Sequence, residues 1–155
     1  MKIKILIPVY NDFQSLSKLI NNINSITSNL NAEISIIIVN DSSTEDTAIN
    51  VSNIDKIHSI KILNMKENQG HARCIATGLK YIFEKEEFDY VIPMDGDGED
   101  RPEEISTFLE FLNYENNKPI VGERIKRSEG LFFKLSYVAH KLITYVFTGH
   151  SIKFG

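Results

Sequence analysis

Isoleucine and valine gather in five short runs along this chain: Ile3 to Val9, Ile34 to Val39, Ser59 to Leu63, Tyr90 to Met94 and a brief Pro119 to Val121. Between them the apolar period changes. Leu16, Leu19, Ile20 and Ile23 recur at helical spacing, as do Ala72, Ile75, Ala76 and Leu79, and again Ile105, Phe108, Leu109 and Leu112. Residues three and four apart share one helix face, so each set predicts an amphipathic helix whose stripe turns toward a core. The near-continuous apolar runs predict strands buried on both faces. Strand and helix in alternation predict an α/β fold, a mainly parallel sheet with helices on both faces. Glu84 to Glu87 and Asn113 to Lys118 read as polar loop tips, and no repeat or linker divides the 155 residues, so a single domain over 1–155 is expected.

In such sheets ligands sit beyond the carboxyl ends of the strands. The segments following the first four runs are Pro8-Val9-Tyr10-Asn11-Asp12, Asn40 to Thr47, Glu67-Asn68-Gln69-Gly70-His71 and Met94 to Glu104. Any one has a structural reading: Ser43 or Thr44 before Glu45 and Asp46 resembles a capping box, and Asn68 with Gly70 an ordinary turn. Together they predict four polar loops on one rim.

The last of these is the richest. Asp95 and Asp97 are two apart in extended backbone and share a face, and Gly96 leaves the backbone between them open, so both carboxylates can offer hard oxygens to one divalent cation, Mg2+ or Mn2+. Such a cation keeps positions for substrate phosphates and water. The competing reading is a polar turn capping the next helix, for which Pro102, Glu103 and Glu104 are good first-turn residues. An EF-hand loop beginning at Asp95 is excluded, because Asp100 and Ser106 stand where Gly and Glu are required. A dinucleotide fingerprint is excluded too, since Arg101 occupies the third small position after Gly96 and Gly98.

Composition narrows the partners. A net charge of -4 with scattered basic residues argues against nucleic acid. The lone Cys74 cannot form an internal disulfide and no signal peptide precedes the first run, so a reducing, cytoplasmic compartment is expected. Leu131 to Phe147 falls short of the roughly 18 uninterrupted apolar residues of a membrane span, being broken by Lys134, His140 and Lys141. Its amphipathic pattern makes 128–148 a candidate helix for a membrane interface at the cytoplasmic face or for a homo-oligomer interface.

The four loops resemble the family 2 glycosyltransferases of the GT-A fold, Rossmann-like and nucleotide-diphospho-sugar binding. Ile7 to Asp12 is similar to that family's Pro-x-Tyr-Asn-Glu opening, with Asp12 for Glu. Asn40 to Thr47 is similar to Asp-Asp-Gly-Ser-x-Asp-x-Thr, with Asn40 for the first Asp and Ser42 for Gly. Asn68-Gln69-Gly70 with Ala72, Ala76 and Gly78 resembles its Asn-x-Gly helix start, and Asp95-Gly96-Asp97 its DXD. The run from Asp95 to Glu103, followed by Val121-Gly122-Glu123-Arg124 and Arg127, resembles the polyprenyl-phosphate branch.

The resemblance implies transfer of a sugar, with inversion, from a nucleotide-diphosphate donor to a polyprenyl phosphate. Donor contacts fall to Pro8, Tyr10, Asp12, Asp41, Asn68, Gly70 and Asp95, with Asp97, joined by Asp95, on the metal. Asp41 can accept from a base N–H beside the Tyr10 ring, Asp12 can hold base or ribose hydroxyls, and Arg124 and Arg127 can steady the leaving diphosphate. The family's acceptor-side carboxylate lies beyond Gly155, so the sequence reads as a truncated glycosyltransferase. A lipid phosphate, already anionic at neutral pH, needs no general base. The alternative is a donor-binding module that transfers nothing.

Overall fold

The structure, a computed structural model, describes residues 1–45, 47–51, 54–112 and 119–122. Strand β1 (Lys2–Val9) leads through helix α1 (Phe13–Thr27) to β2 (Glu33–Asn40) and β3 (Ser59–Asn64); helix α2 (His71–Lys85) then leads to β4 (Tyr90–Pro93). A single 3-10 turn, Pro102–Glu104, continues into helix α3 (Ile105–Leu112). The strands form one parallel sheet in the order β3-β2-β1-β4. Two compact units divide the chain, Met1–Lys118 and Pro119–Gly155, and all of these elements lie in the first.

Alternation along each strand builds two cores. Ile3, Ile5, Ile7, Ile34, Ile36 and Ile38 turn one way and bury the stripe Leu16, Leu19, Ile20 and Ile23 of α1. Met94 and Ile105 complete that layer, and Ile49, Val51, Ile54 and Ile57 from the β2–β3 connection pack against it. Leu6, Ile37 and Val39 turn the other way onto Cys74 and Ile82 of α2.

The α2 stripe differs from expectation. Of Ala72, Ile75, Ala76 and Leu79 only Ile75 packs against the core; the buried row is Cys74, Gly78 and Ile82. Gly78 is the reason. A Cβ there would stand 2.3 Å from Leu6 Cδ1, so the helix seats its smallest position on the sheet and turns Leu79 outward.

Two further expectations are corrected. Glu84 to Glu87 is not a simple loop tip: α2 runs to Lys85, and the Glu86 side chain, 8% exposed, lies 3.4 Å from Lys4 Nζ and 2.5 Å from Lys61 Nζ. Lys4 itself is 5% exposed in the middle of an apolar strand, its ammonium also donating to Ser35 Oγ at 3.2 Å. Pro119 to Val121 forms no strand, being three residues long and led by a proline that cannot donate to a ladder. Asn113 to Lys118 and 128–148 lie outside the described residues. Among the described residues no helix is long and apolar enough to cross a membrane.

Candidate functional site

From β1 the sheet grows outward through β2 to β3, then β4 is laid on β1's other side. The order therefore reverses between β1 and β4, the point beyond whose carboxyl ends open α/β sheets generally take their ligands. The segments Pro8–Asp12 and Met94–Asp100 lie there, flanked by the loops after β2 and β3.

Hydrogen bonds and close packing join these four loops into a closed ring. Asn11 links the first to the second: its N–H donates to Ser43 Oγ at 3.0 Å, its Nδ2 donates to Thr44 Oγ1 at 3.2 Å, and its Oδ1 accepts from Thr44 N–H at 2.8 Å and Glu45 N–H at 3.3 Å. Asn40 steadies the second, accepting from Ser43 N–H at 3.0 Å and donating to Asn64 Oδ1 at the end of β3 at 2.9 Å. Asp41 reaches the third, its two oxygens accepting from Gln69 N–H and Gly70 N–H at 2.8 Å each. The third loop meets the fourth where His71 Nε2 lies 3.5 Å from Asp95 Oδ1. The fourth returns to the first at Gly96, where a Cβ would approach the Pro8 carbonyl oxygen to 3.1 Å, so the small residue permits the contact.

Each expected site residue among the described residues has a definite place. Pro8 is buried under Gly96, and Tyr10 stands beside it with 49% of its surface exposed. Asp12 is the N-cap of α1, accepting from Ser15 N–H at 3.1 Å. Asn68 is exposed, and Gly70 holds φ +84°, a left-handed conformation that suits glycine. Asp95 is partly buried, its N–H held by Asp100 Oδ2 at 2.8 Å, while Asp97 is exposed and accepts from Glu99 N–H at 2.9 Å through Oδ1. Arg124 and Arg127 lie outside the described residues. The capping-box reading of Ser43 and Thr44 fails, since no helix follows them among the described residues.

Asp41 is more committed than a free base-reading carboxylate. It is 4% exposed, and burial alone would raise its carboxyl; the Gln69 and Gly70 N–H groups and the Cys74 thiol outweigh that and hold it below the ordinary 3.8. Burial, with the hydrogen bond to Asp41 and its charge, pushes the Cys74 thiol up to about 11, so the thiol stays protonated at neutral pH. Glu86 is likewise lowered, chiefly by its hydrogen bond to Lys61. For both carboxyls the folded value lies below the unfolded one, so their stabilisation is complete above the unfolded values of 3.8 and 4.5 and is lost as pH falls through the lower folded values. Thermal melts from pH 7 to 3 should hold level to about 4.5 and then drop, and Asp41→Asn should begin lower and lose less on acidification. An equal acid slope in that variant would remove Asp41 from the account.

Comparison with known protein families matches residues 4–150 to Glycosyl transferase family 2. The chain belongs to that family. It is 29% identical over 150 residues to the undecaprenyl-phosphate 4-deoxy-4-formamido-L-arabinose transferase of Proteus mirabilis (strain HI4320), covering 95% of this chain and 43% of the relative. Among solved structures, S. aureus TarS 1-349 superposes with a TM-score of 0.56 at 19% identity, over 82% of this chain and 40% of that one. The same TarS fragment in complex with UDP-GlcNAc gives the same TM-score and identity over 39% of its length. The fold is GT-A, as the four loops imply, and the chain spans less than half the length of these relatives.

Sequence reasoning passed over two residues of the ring. Asn11 and Asn40 stood inside the quoted motifs, yet neither carries a charge, and their work as splints shows only once the loops are in space. For Asn11 a signal existed: asparagine is among the few non-glycine residues that tolerate the left-handed region, and it adopts φ +52° here.

Proposed function

We propose that this chain is the donor-binding core of a glycosyltransferase that moves a sugar from a nucleotide diphosphate to a polyprenyl phosphate with inversion. The observation that carries the reading is the ring of four loops at the point of strand reversal, with the Asp95-Gly96-Asp97 turn seated on Pro8 beside exposed Tyr10. Family membership supports sugar transfer. The TarS complex carries UDP-GlcNAc, and the Proteus mirabilis relative is named for an undecaprenyl-phosphate acceptor; both support extending those chemistries here.

On this reading Tyr10 offers its ring to the base, and the loop anchored by Asp41 supplies polar contacts around it. After accepting from Gln69, Gly70 and the Cys74 thiol, the two Asp41 oxygens keep about one acceptor site between them, and that is what remains for a base N–H. Asp12 and Asn68 offer further polar groups to the donor, and Asp95 and Asp97 take the diphosphate and its metal. Among the described residues no set of three or more His, Cys, Asp or Glu side chains forms a protein-only metal cage. Two carboxylates on one turn fit instead a Mg2+ or Mn2+ ion that takes its other ligands from phosphate and water. Such a cation, when bound, neutralises charge on the departing diphosphate.

The lipid phosphate oxygen attacks the anomeric carbon from the face opposite the diphosphate. The new carbon–oxygen bond forms as the old one breaks, and the electron pair leaves with the nucleoside diphosphate. Arg124 and Arg127 are proposed to stabilise that leaving group, and 128–148 to rest on the cytoplasmic membrane surface where the acceptor resides.

Calorimetry with UDP and GDP, followed by label transfer to a polyprenyl phosphate in anionic liposomes, tests the reading. Binding of one nucleotide and lipid-dependent transfer are expected. Binding without transfer to any lipid phosphate favours a donor-binding module, and absence of both refutes the proposal.

A further inference from the structure

We infer that Asn11 is a positioning residue for the donor, a splint that holds the loop carrying Tyr10 in register with the loop after β2. The inference rests on the donor-site reading above. Two non-glycine residues of the rim, Asn11 at φ +52° and Ser42 at φ +60°, sit in the left-handed region, one in each of these loops. Such a conformation persists when the surroundings over-determine it. Here the four hydrogen bonds between Asn11 and the Ser43-Thr44-Glu45 backbone and hydroxyls do so, across more than thirty residues of sequence.

The geometry has a direct consequence for binding. Tyr10 and Asp12 flank Asn11, and Asp41 lies two residues before Ser43. The proposed base platform, ribose contact and loop anchor therefore all hang on the two segments that this one side chain fastens together. Without it each loop retains its own attachments: Asp12 still caps α1, and Asp41 still holds Gln69 and Gly70. The Asn11 N–H still donates to Ser43 Oγ and the Asp41 N–H to the Val9 carbonyl, so what is released is the side-chain bracing of Thr44 and Glu45 against the first loop. A ligand would then have to order both loops on binding, which weakens affinity without altering the bound arrangement.

Asn11→Gly isolates this role, because glycine adopts the positive φ freely and removes only the side-chain splint. In the full chain, Kd for UDP and GDP should rise about tenfold or more, measured well below the melting temperature. KM for the sugar nucleotide should rise in parallel, while kcat stays within about threefold. Thr44→Val, which removes one of the four bonds and leaves the backbone donors in place, should change Kd by less than about threefold. A purely structural residue would lower the melting temperature and leave Kd alone. If wild type binds a nucleotide and Asn11→Gly binds it equally well, this inference fails and the donor site stands; if wild type binds neither nucleotide, both fall together.

Discussion

Asp97→Asn should weaken nucleoside diphosphate binding by on the order of a hundredfold, equivalent to about 2.7 kcal/mol, and EDTA should do the same to the wild-type protein. Asparagine is the informative replacement. Its Oδ1 can still accept from Glu99 N–H, so the 2.9 Å bond that shapes the turn survives and only the charge is lost. If the turn were simply a helix entry, both Asp97→Asn and EDTA would leave affinity unchanged. Calorimetry with and without Mn2+ reads all arms, and an affinity indifferent to chelation would sink the metal role of the turn.

Glu86→Leu should destabilise the fold by about 3 to 5 kcal/mol, the cost of leaving a buried charge without its partner. The orphan is Lys4, whose side chain is 6% exposed and would keep only the Ser35 hydroxyl. For a domain of this size the melting temperature should fall by on the order of 10 °C. The reverse variant is milder. Lys4→Met leaves Glu86 paired with Lys61, which is 46% exposed and partly hydrated already. Replacing both as Lys4→Met with Glu86→Leu should recover most of the loss, since a buried pair is commonly matched by apolar residues of similar volume. Should the double variant be as unstable as Glu86→Leu alone, packing at the foot of α2 rather than charge would be responsible.

Strands β1 and β2 were legible because burial on both faces leaves little room for polar residues: Ile3, Ile5 and Ile7 face one core and Leu6 the other, so no alternation shows, whereas β3 and β4 lie at the ends of the strand order and are only partly buried. The α1 stripe was legible for the opposite reason, a single buried face with polar residues elsewhere. Helix α2 defeated the same method. Hydropathy ranks Leu79 above Gly78, while the close approach to Leu6 rewards the absence of a side chain. Lys4 and Glu86 were missed because their pairing spans 82 positions, and each alone reads as surface. At the rim, the loops and the acidic turn were visible as residue types. What Asp41 does with its oxygens was not, because Gln69 and Gly70 contribute backbone N–H groups that every sequence possesses.

The closed rim has a consequence for altering donor preference. Each loop leans on the next through Asn11, Asn40, Asp41, the His71–Asp95 contact and Gly96, so changes in adjacent loops will not combine additively. A loop transplanted singly from a relative of different specificity would arrive without the neighbours that fix its shape. Neighbouring loops therefore form the smallest exchangeable cassette, and pairs such as Asn11 with Asp41 should show epistasis even where their side chains never touch.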